Sequence, residues 1–297
     1  MMKQSLWAIG ASFFFSLMAA FVKLASADMG ALEMVFYRSI FGVAAILIFV
    51  KRRKLSLKTP HLKGNIVRSI LGTLSIAVWF YTLGKLPFST NMTLTYTTPL
   101  FMAANFFILA AVKHERAPWA LILSVLVGFV GILLVLRPSF SSDDLVPALI
   151  CLSVSLIDLA VYWQMKELGN LKEPSWRIVF YFTAFGSVFG FIGAWTIEGG
   201  MHLPTGLNAV GILGMGLCAT LGQICTTRSY AYGNMLLSSC LGFSAIPISA
   251  VISILLFGES VSLLSIAGMS LIIAAGVWAS ISTKREEARQ KAAAGAD

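Results

Sequence analysis

The sequence predicts an all-α integral membrane protein: ten transmembrane helices built as two inverted five-helix repeats, with the N- and C-termini both cytoplasmic. Three observations lead there. Of 297 residues, 58% are hydrophobic and only 12% charged, against about 45–50% and about 25% in a soluble domain. Apolar stretches of spanning length recur along the chain, and short motifs of the first half return in the second at a near-constant offset.

So little charge cannot clothe a water-soluble globule, which excludes soluble domains, disorder and coiled coil. A spanning helix takes about 20 mostly apolar residues, so ten of them leave loops averaging only about nine. No soluble catalytic or regulatory domain fits in such loops, and the helices themselves carry the function.

The first apolar stretch covers residues 5–26. Lys3, the apolar run and Ala25-Ser26-Ala27 imitate a secretory signal. The run nevertheless exceeds the roughly 7–15 residues of a signal core, and its removal would leave an unpaired helix, so it is read as helix 1. Charge, Pro or Gly then punctuate stretches at 31–50, 64–84, 89–112, 117–136, 145–166, 176–197, 206–229, 235–257 and 262–281. The tightest joints, at Asp28 to Gly30 and Glu259 to Val261, leave nine or eleven helices open, because hydropathy sets boundaries only to about two to four residues.

Orientation follows from the 22 Lys and Arg residues. A cytoplasmic N-terminus puts Lys3, the run from Lys51 to Arg68, Lys113, Arg116, Lys166, Lys172, Arg177, Arg228 and the tail residues Lys284 to Lys291 inside, and only Lys85 and Arg137 outside. That is the asymmetry the positive-inside rule demands. The net charge of +9 is therefore a topology signal. It does not point to nucleic acid, because a juxtamembrane basic loop is expected here and no aromatic residues interleave the run from Lys51 to Arg68.

Cys151, Cys218, Cys225 and Cys240 fall within predicted spans without a CxxC pair, and His61, His114 and His202 stand alone in loops. Neither a metal site nor any other cofactor is expected. No GxxxxGK[ST] phosphate loop is present, so energy must come from an ion or substrate gradient unless another chain supplies it.

The repeat organises the chain. Val35-Phe36-Tyr37 with Phe41-Gly42 recurs as Val179-Phe180-Tyr181 with Phe185-Gly186, at an offset of 144, and Pro99 and Gly128 match Pro247 and Gly276 at an offset of 148. Residues 1–138 form the first repeat, helices 1–5; residues 145–283 form the second, helices 6–10; residues 284–297 are a charged cytoplasmic tail. Five is odd, so the second copy crosses the bilayer upside down, an architecture whose substrate site lies near the midplane between the halves.

With these motifs the sequence resembles the drug/metabolite transporter superfamily, in its ten-helix EamA-type branch. The resemblance rests on Trp7 to Ser26 as opening helix, Phe36-Tyr37-Arg38 early in helix 2, Tyr81 to Pro99 between helices 3 and 4, Tyr230 to Pro247, and Phe257-Gly258-Glu259 with Gly268 and Gly276. One departure is visible: Glu115 lies 16 residues after Pro99, whereas Glu259 lies 12 after Pro247. The resemblance implies a secondary transporter of an inner, cytoplasmic-type membrane with a central cavity. It names no substrate.

Ionisable groups inside hydrocarbon mark a pathway, since each costs about 2.5–3.5 kcal/mol at a helix centre. Arg38 lies about seven residues into helix 2, roughly 10 Å deep, and Asp158 about 13 residues into helix 6, roughly 20 Å from the outer face. Arg38 is expected to bind a substrate anion, with Asp158 as its empty-state partner or a proton carrier; a permanent ion pair is the alternative. Tyr37, Trp79, Tyr96, Tyr162, Trp163, Gln223 and Arg228 complete the candidate substrate site, the aromatic rings offering an apolar face with a polar tip. Arg228, near the end of helix 8, and Lys23, near the end of helix 1, also read as snorkelling side chains, and Glu259 as a helix end. Pro99 and Pro247 each remove one backbone hydrogen bond in equivalent helices and are candidate gating residues. Gly186 and Gly190 give a GxxxG spacing read as helix packing within one chain.

The expected function is alternating-access transport of a small organic metabolite carrying an anionic group, such as an amino acid or a derivative. The resemblance favours export, coupled to a proton or running as exchange. The expected partners are the lipid bilayer, the small-molecule substrate and the coupling proton, with no nucleic acid; the oligomeric state stays open. Uptake of a carboxylate or an S-adenosylmethionine-like metabolite is the alternative. A channel would show charge rings or a filter loop, and a lipid-modifying membrane enzyme a nucleophile, acid/base pair or metal cluster; neither pattern is visible, and no enzyme is expected.

Overall fold

Every regular element among the described residues is a helix, as lipid requires of an apolar chain whose backbone N–H and C=O groups must pair internally. A computed structural model describes residues 2–25, 29–83, 85–86, 88–115, 117–138, 145–203, 206–257 and 262–294. The joint at Asp28 and the residues Gly258 and Glu259 lie outside them, and so does the side chain of Lys23.

In chain order the elements are α1 (Met2–Ser5), α2 (Trp7–Ala25), α3 (Ala31–Arg53), α4 (Leu62–Leu83), α5 (Phe88–Thr95), α6 (Thr98–Val112), α7 (Trp119–Leu136), α8 (Leu145–Asn170), α9 (Ser175–Thr196), α10 (Leu207–Tyr232), α11 (Met235–Gly242), α12 (Ala245–Phe257) and α13 (Leu263–Ala294). Among the described residues, nine helical stretches are long and apolar enough to cross a membrane. The other long helix, α4, is set apart by polarity: it carries Lys63, Asn65, Arg68, Ser69, Thr73 and Ser75. Its neighbours bury those groups, leaving Asn65, Arg68, Ser69, Thr73 and Ser75 each at most 5% exposed.

The stretches at 89–112 and 235–257 are both broken. α5 gives way to α6 at Tyr96-Thr97, and α11 to α12 at Phe243-Ser244. Pro99 is the second residue of α6 and Pro247 the third of α12. A missing N–H costs nothing in the first turn of a helix, so each proline starts a new helix instead of kinking an old one. Asn234 caps α11, its Oδ1 accepting from the Leu237 N–H at 3.0 Å.

The last helix runs past the expected end near residue 281 to Ala294, so the charged tail is helical that far. Its Lys-Arg-Glu-Glu-Ala-Arg sequence is rich in helix formers and contains no breaker. The Met2 backbone N–H donates to Glu287 at 2.9 Å, which places both ends of the chain at one end of the bundle.

At the centre α3 and α9 cross antiparallel on small residues. A Cβ on Gly42 would meet Thr183 Cγ2 at 2.7 Å, and one on Gly186 would meet Ser39 Oγ at 2.7 Å. Gly190 comes closer still: its Cβ would lie 2.6 Å from the Phe36 backbone nitrogen. The GxxxG spacing thus serves packing within the chain. At the far end Tyr37 donates to the His202 carbonyl at 2.6 Å, and at the near end Tyr181 donates to the Leu57 carbonyl at 3.0 Å. Glu33 and Arg177 reinforce the same junctions: Glu33 accepts from the His202 N–H at 2.5 Å, and Arg177 Nη2 donates to the Ser56 carbonyl at 2.9 Å. The main apolar core joins α7, α11 and α13 through Val125, Ile132, Leu236, Leu237, Phe243 and Ile272. Large apolar side chains such as Ile48, Trp195 and Leu255 point outward, where lipid replaces a protein partner.

Candidate functional site

Two helices build most of the site, each with one face. On α4 the positions 68, 72, 75, 76 and 79 line an internal cavity, and on α8 the positions 154, 158, 161, 162 and 165 do so. Both sets follow the i, i+4, i+7, i+8, i+11 spacing of a single helical stripe. α3 adds Arg38, α9 adds Phe182, and α10 adds Gln223 and Thr226. The cavity holds about 190 Å³, below the roughly 300–1,000 Å³ of sites for drug-sized ligands.

Its polar groups are arranged in two parts. Asp158 Oδ1 accepts a hydrogen bond from the Ser75 hydroxyl at 2.5 Å. Arg38 Nη2 donates to Gln223 Oε1 at 3.3 Å, and its Cζ lies 6.0 Å from the Phe182 ring centroid. Arg68, 1% exposed, places its Cζ 4.0 Å over that same ring. Its Nε and Nη1 have no hydrogen-bond partner among the described residues. The ion pairs among the described residues are Arg177 with Glu173 and His202 with Glu33, so neither cavity arginine is paired with Asp158.

Of the residues read as the substrate site, Arg38, Trp79, Asp158, Tyr162 and Gln223 come together around this cavity. Tyr162 also stacks on Tyr230, with ring centroids 3.9 Å apart and planes 3° from parallel. Tyr37, Tyr96, Trp163 and Arg228 are placed elsewhere. Tyr37 follows the helix turn away from its neighbour Arg38, toward His202. Trp163 is turned from Tyr162 in the same way, donating to Asn105 Oδ1 at 3.1 Å and stacking on Phe106. Successive helical residues point about 100° apart, so adjacent residues seldom share a cavity. Tyr96 sits in the break before α6, its ring edge-on to Phe243. Arg228 donates to Gln4 Oε1 at 2.9 Å and lies 4.6 Å over the Trp7 ring, at the near end of α10.

The sequence reading missed Arg68, Ser75, Gly72 and Phe182. Arg68 was placed with the cytoplasmic basic run; α4 begins at Leu62, which carries Arg68 almost two turns into the helix. The available signal was the stripe Arg68, Gly72, Ser75, Trp79 at helical spacing. Among the described residues no three His, Cys, Asp or Glu side chains gather as a metal site would require.

The comparisons with known proteins agree with this architecture. Residues 2–137 match the EamA-like transporter family. The chain is 28% identical over 271 residues to the pseudopaline exporter CntI of Pseudomonas aeruginosa (strain UCBPP-PA14), covering 91% of this chain and 93% of that protein. It is 23% identical over 264 residues to an S-adenosylmethionine uptake transporter of Rickettsia felis, covering 87% and 85%. A crystal structure of another protein superposes with a TM-score of 0.81 at 15% identity, over 96% of this chain and 99% of that one, a likeness of fold. Residues 2–137 thus resemble the EamA-like transporter family, and the relatives that match nearly the whole chain are named as transporters.

Proposed function

We propose that the chain is a secondary active transporter that exports a small organic metabolite carrying an anionic group, such as an amino acid or a derivative, by alternating access. The observation that carries this reading is a pair of arginines, the half-buried Arg38 and the buried Arg68, on a cavity whose described lining holds one carboxylate, Asp158. Unpaired buried charge is costly unless a counter-ion visits it, and an anionic substrate is that counter-ion. The name of the Pseudomonas aeruginosa relative, an exporter, favours the outward direction. The uptake transporter among the relatives keeps import of a carboxylate or S-adenosylmethionine-like solute as the second reading.

Alternating access follows from an inverted repeat of ten helices: residues 1–138 with helices 1–5, residues 145–283 with helices 6–10, and both termini in the cytoplasm. Three matched features and the position of the chain ends support it. The Gly42 contact with Thr183 mirrors the Gly186 contact with Ser39 at the offset of 144, and Tyr37 and Tyr181 tether opposite ends of the bundle at the same offset. The helix breaks before Pro99 and Pro247 lie 147 residues apart, within one residue of the prolines' offset of 148. The Met2 contact with Glu287 puts both ends of the chain on one side. Pro99 and Pro247 then serve as gating points, and Asp158 as the carrier of a coupling proton.

The test is counterflow in proteoliposomes holding the full chain, with labelled amino acids, carboxylates, nucleotides and sulfonium compounds. Saturable exchange of an anionic class, lost in Arg38→Gln, supports the proposal. Movement of uncharged or cationic solutes alone, unaffected by Arg38→Gln, overturns it.

A further inference from the structure

Arg68 is held in place by contacts that leave part of its charge unanswered. Its guanidinium lies over the Phe182 ring at 4.0 Å, a cation–π contact that steadies a cation without using its N–H donors. It also lies against the bare Cα of Gly72, where an added Cβ would come within 2.2 Å of Nη1. Nε and Nη1 have no partner among the described residues, in a site 1% exposed. A buried donor on a charged group without an acceptor carries the full desolvation cost, so the arrangement is one that an incoming anion relieves. Arg38 stands by the same ring with one amide partner, Gln223. Asp158, fixed by Ser75, supplies the one carboxylate among the described residues of the cavity wall.

The wall therefore presents two guanidiniums and one carboxylate, and the complementary ligand presents two anionic groups and one cationic group. The cavity, at about 190 Å³, admits only a small molecule. Guanidinium matches the flat, two-oxygen geometry of a carboxylate, and a carboxylate held by a hydroxyl is a ready acceptor for an ammonium. Resting on the transport function proposed above, we propose that the cavity binds an acidic amino acid, its two carboxylates at Arg38 and Arg68 and its ammonium at Asp158, with Gly72 and Phe182 positioning Arg68.

A ligand lacking any one of the three charges leaves a charged group of the wall, buried at Arg68 and half-buried at Arg38 and Asp158, without its partner. Discrimination then comes from the wall's own unmet bonds more than from size. L-Glutamine and glutarate resemble L-glutamate in length, yet each lacks one of the charges. Each is expected to bind about tenfold more weakly or worse, the cost of one lost charged hydrogen bond.

The experiment is equilibrium binding of radiolabelled L-glutamate to the purified full chain in nanodiscs, with L-aspartate, L-glutamine, glutarate and L-lysine as competitors. Saturable binding displaced by L-aspartate, and far less by the other three, is the expected result. Asp158→Asn removes the preference for L-glutamate over glutarate, a change that a merely structural role for Asp158 would not produce. Gly72→Ala pushes the guanidinium off its seat and weakens L-glutamate about tenfold, and Arg68→Gln abolishes binding. The competitor series on the unaltered chain stands even where a variant fails to fold. L-Glutamine competing as well as L-glutamate, or no binding of L-glutamate by the unaltered chain, overturns the inference. If the chain ignores L-glutamate but exchanges another anionic metabolite, the inference falls and the transport reading stands; if only uncharged or cationic solutes move, both fall.

Discussion

Tyr96 and Phe243 meet edge to face, with ring centroids 6.2 Å apart and planes at 73°. Each ring belongs to the break of a divided helix, Tyr96 between α5 and α6 and Phe243 between α11 and α12. The two places where the backbone ladder is interrupted are thus in direct contact.

An alanine at either position frees the fixed φ that starts the helix after the break and lets the two pieces join into one stiffer helix. Pro99→Ala and Pro247→Ala are each expected to slow exchange several-fold while leaving equilibrium ligand binding unchanged. Initial counterflow rates set beside binding isotherms separate the two quantities. Equal loss of binding and rate would make the prolines structural.

Phe243 is 1% exposed, and Gly128 leaves room for it, since a Cβ there would lie 2.7 Å from the ring. Phe243→Ala should cost about 3–5 kcal/mol of stability, as large-to-small core changes do. Thermal unfolding of the variant in detergent checks this. Tyr96→Phe keeps the ring contact and should leave the melting temperature nearly unchanged.

Tyr37→Phe and Tyr181→Phe each delete one side-chain hydrogen bond to a loop carbonyl, at opposite ends of the antiparallel pair α3 and α9. Each should destabilise the protein by about 1 kcal/mol. The two losses should be similar and should add in the double variant, because the sites share no partner. A strongly non-additive double variant would show that the two ends are coupled.

Side-chain volume at the α3–α9 crossing has nowhere to go. Gly190→Leu puts atoms against the Phe36 backbone, which cannot yield as a flexible side chain can. A loss of about 1–3 kcal/mol or more is expected, read as lower expression and melting temperature. Gly42→Ala meets the Thr183 methyl instead and should be milder.

Asp158→Asn keeps a hydrogen-bonding group beside Ser75 but cannot gain or lose a proton. If Asp158 carries the coupling proton, the variant at saturating substrate should still exchange it across the membrane, with the weaker affinity expected of a lost contact to the ligand's ammonium, yet no longer accumulate it under an imposed pH gradient. Accumulation equal to the unaltered chain would assign the proton elsewhere.

Composition and apolar spacing were enough to read an all-helical membrane protein, because lipid admits few other solutions for an unpaired backbone. The motifs that match at 144 were legible as well: Tyr37 and Tyr181 do make equivalent bonds, and Gly42 and Gly186 do make equivalent contacts. Half of the candidate site was legible for the same reason. A charge such as Arg38 or Asp158 inside an apolar run stands out without any knowledge of contacts.

Direction was not legible in that way. Tyr37 and Trp163 follow or precede cavity-facing residues by one position, and only the packing of α3 and α8 decides which side of each helix faces inward. Arg68 shows the opposite failure: close to a basic loop in sequence, it is buried because α4 starts early enough to carry it into the protein. The sequence by itself therefore determined the all-helical membrane class, which depends on local hydrophobicity. Tertiary structure alone decided that Arg68, Phe182 and Gly72 meet, since that contact joins α4 to α9 across residues far apart in the chain, and no local pattern encodes which faces pack together.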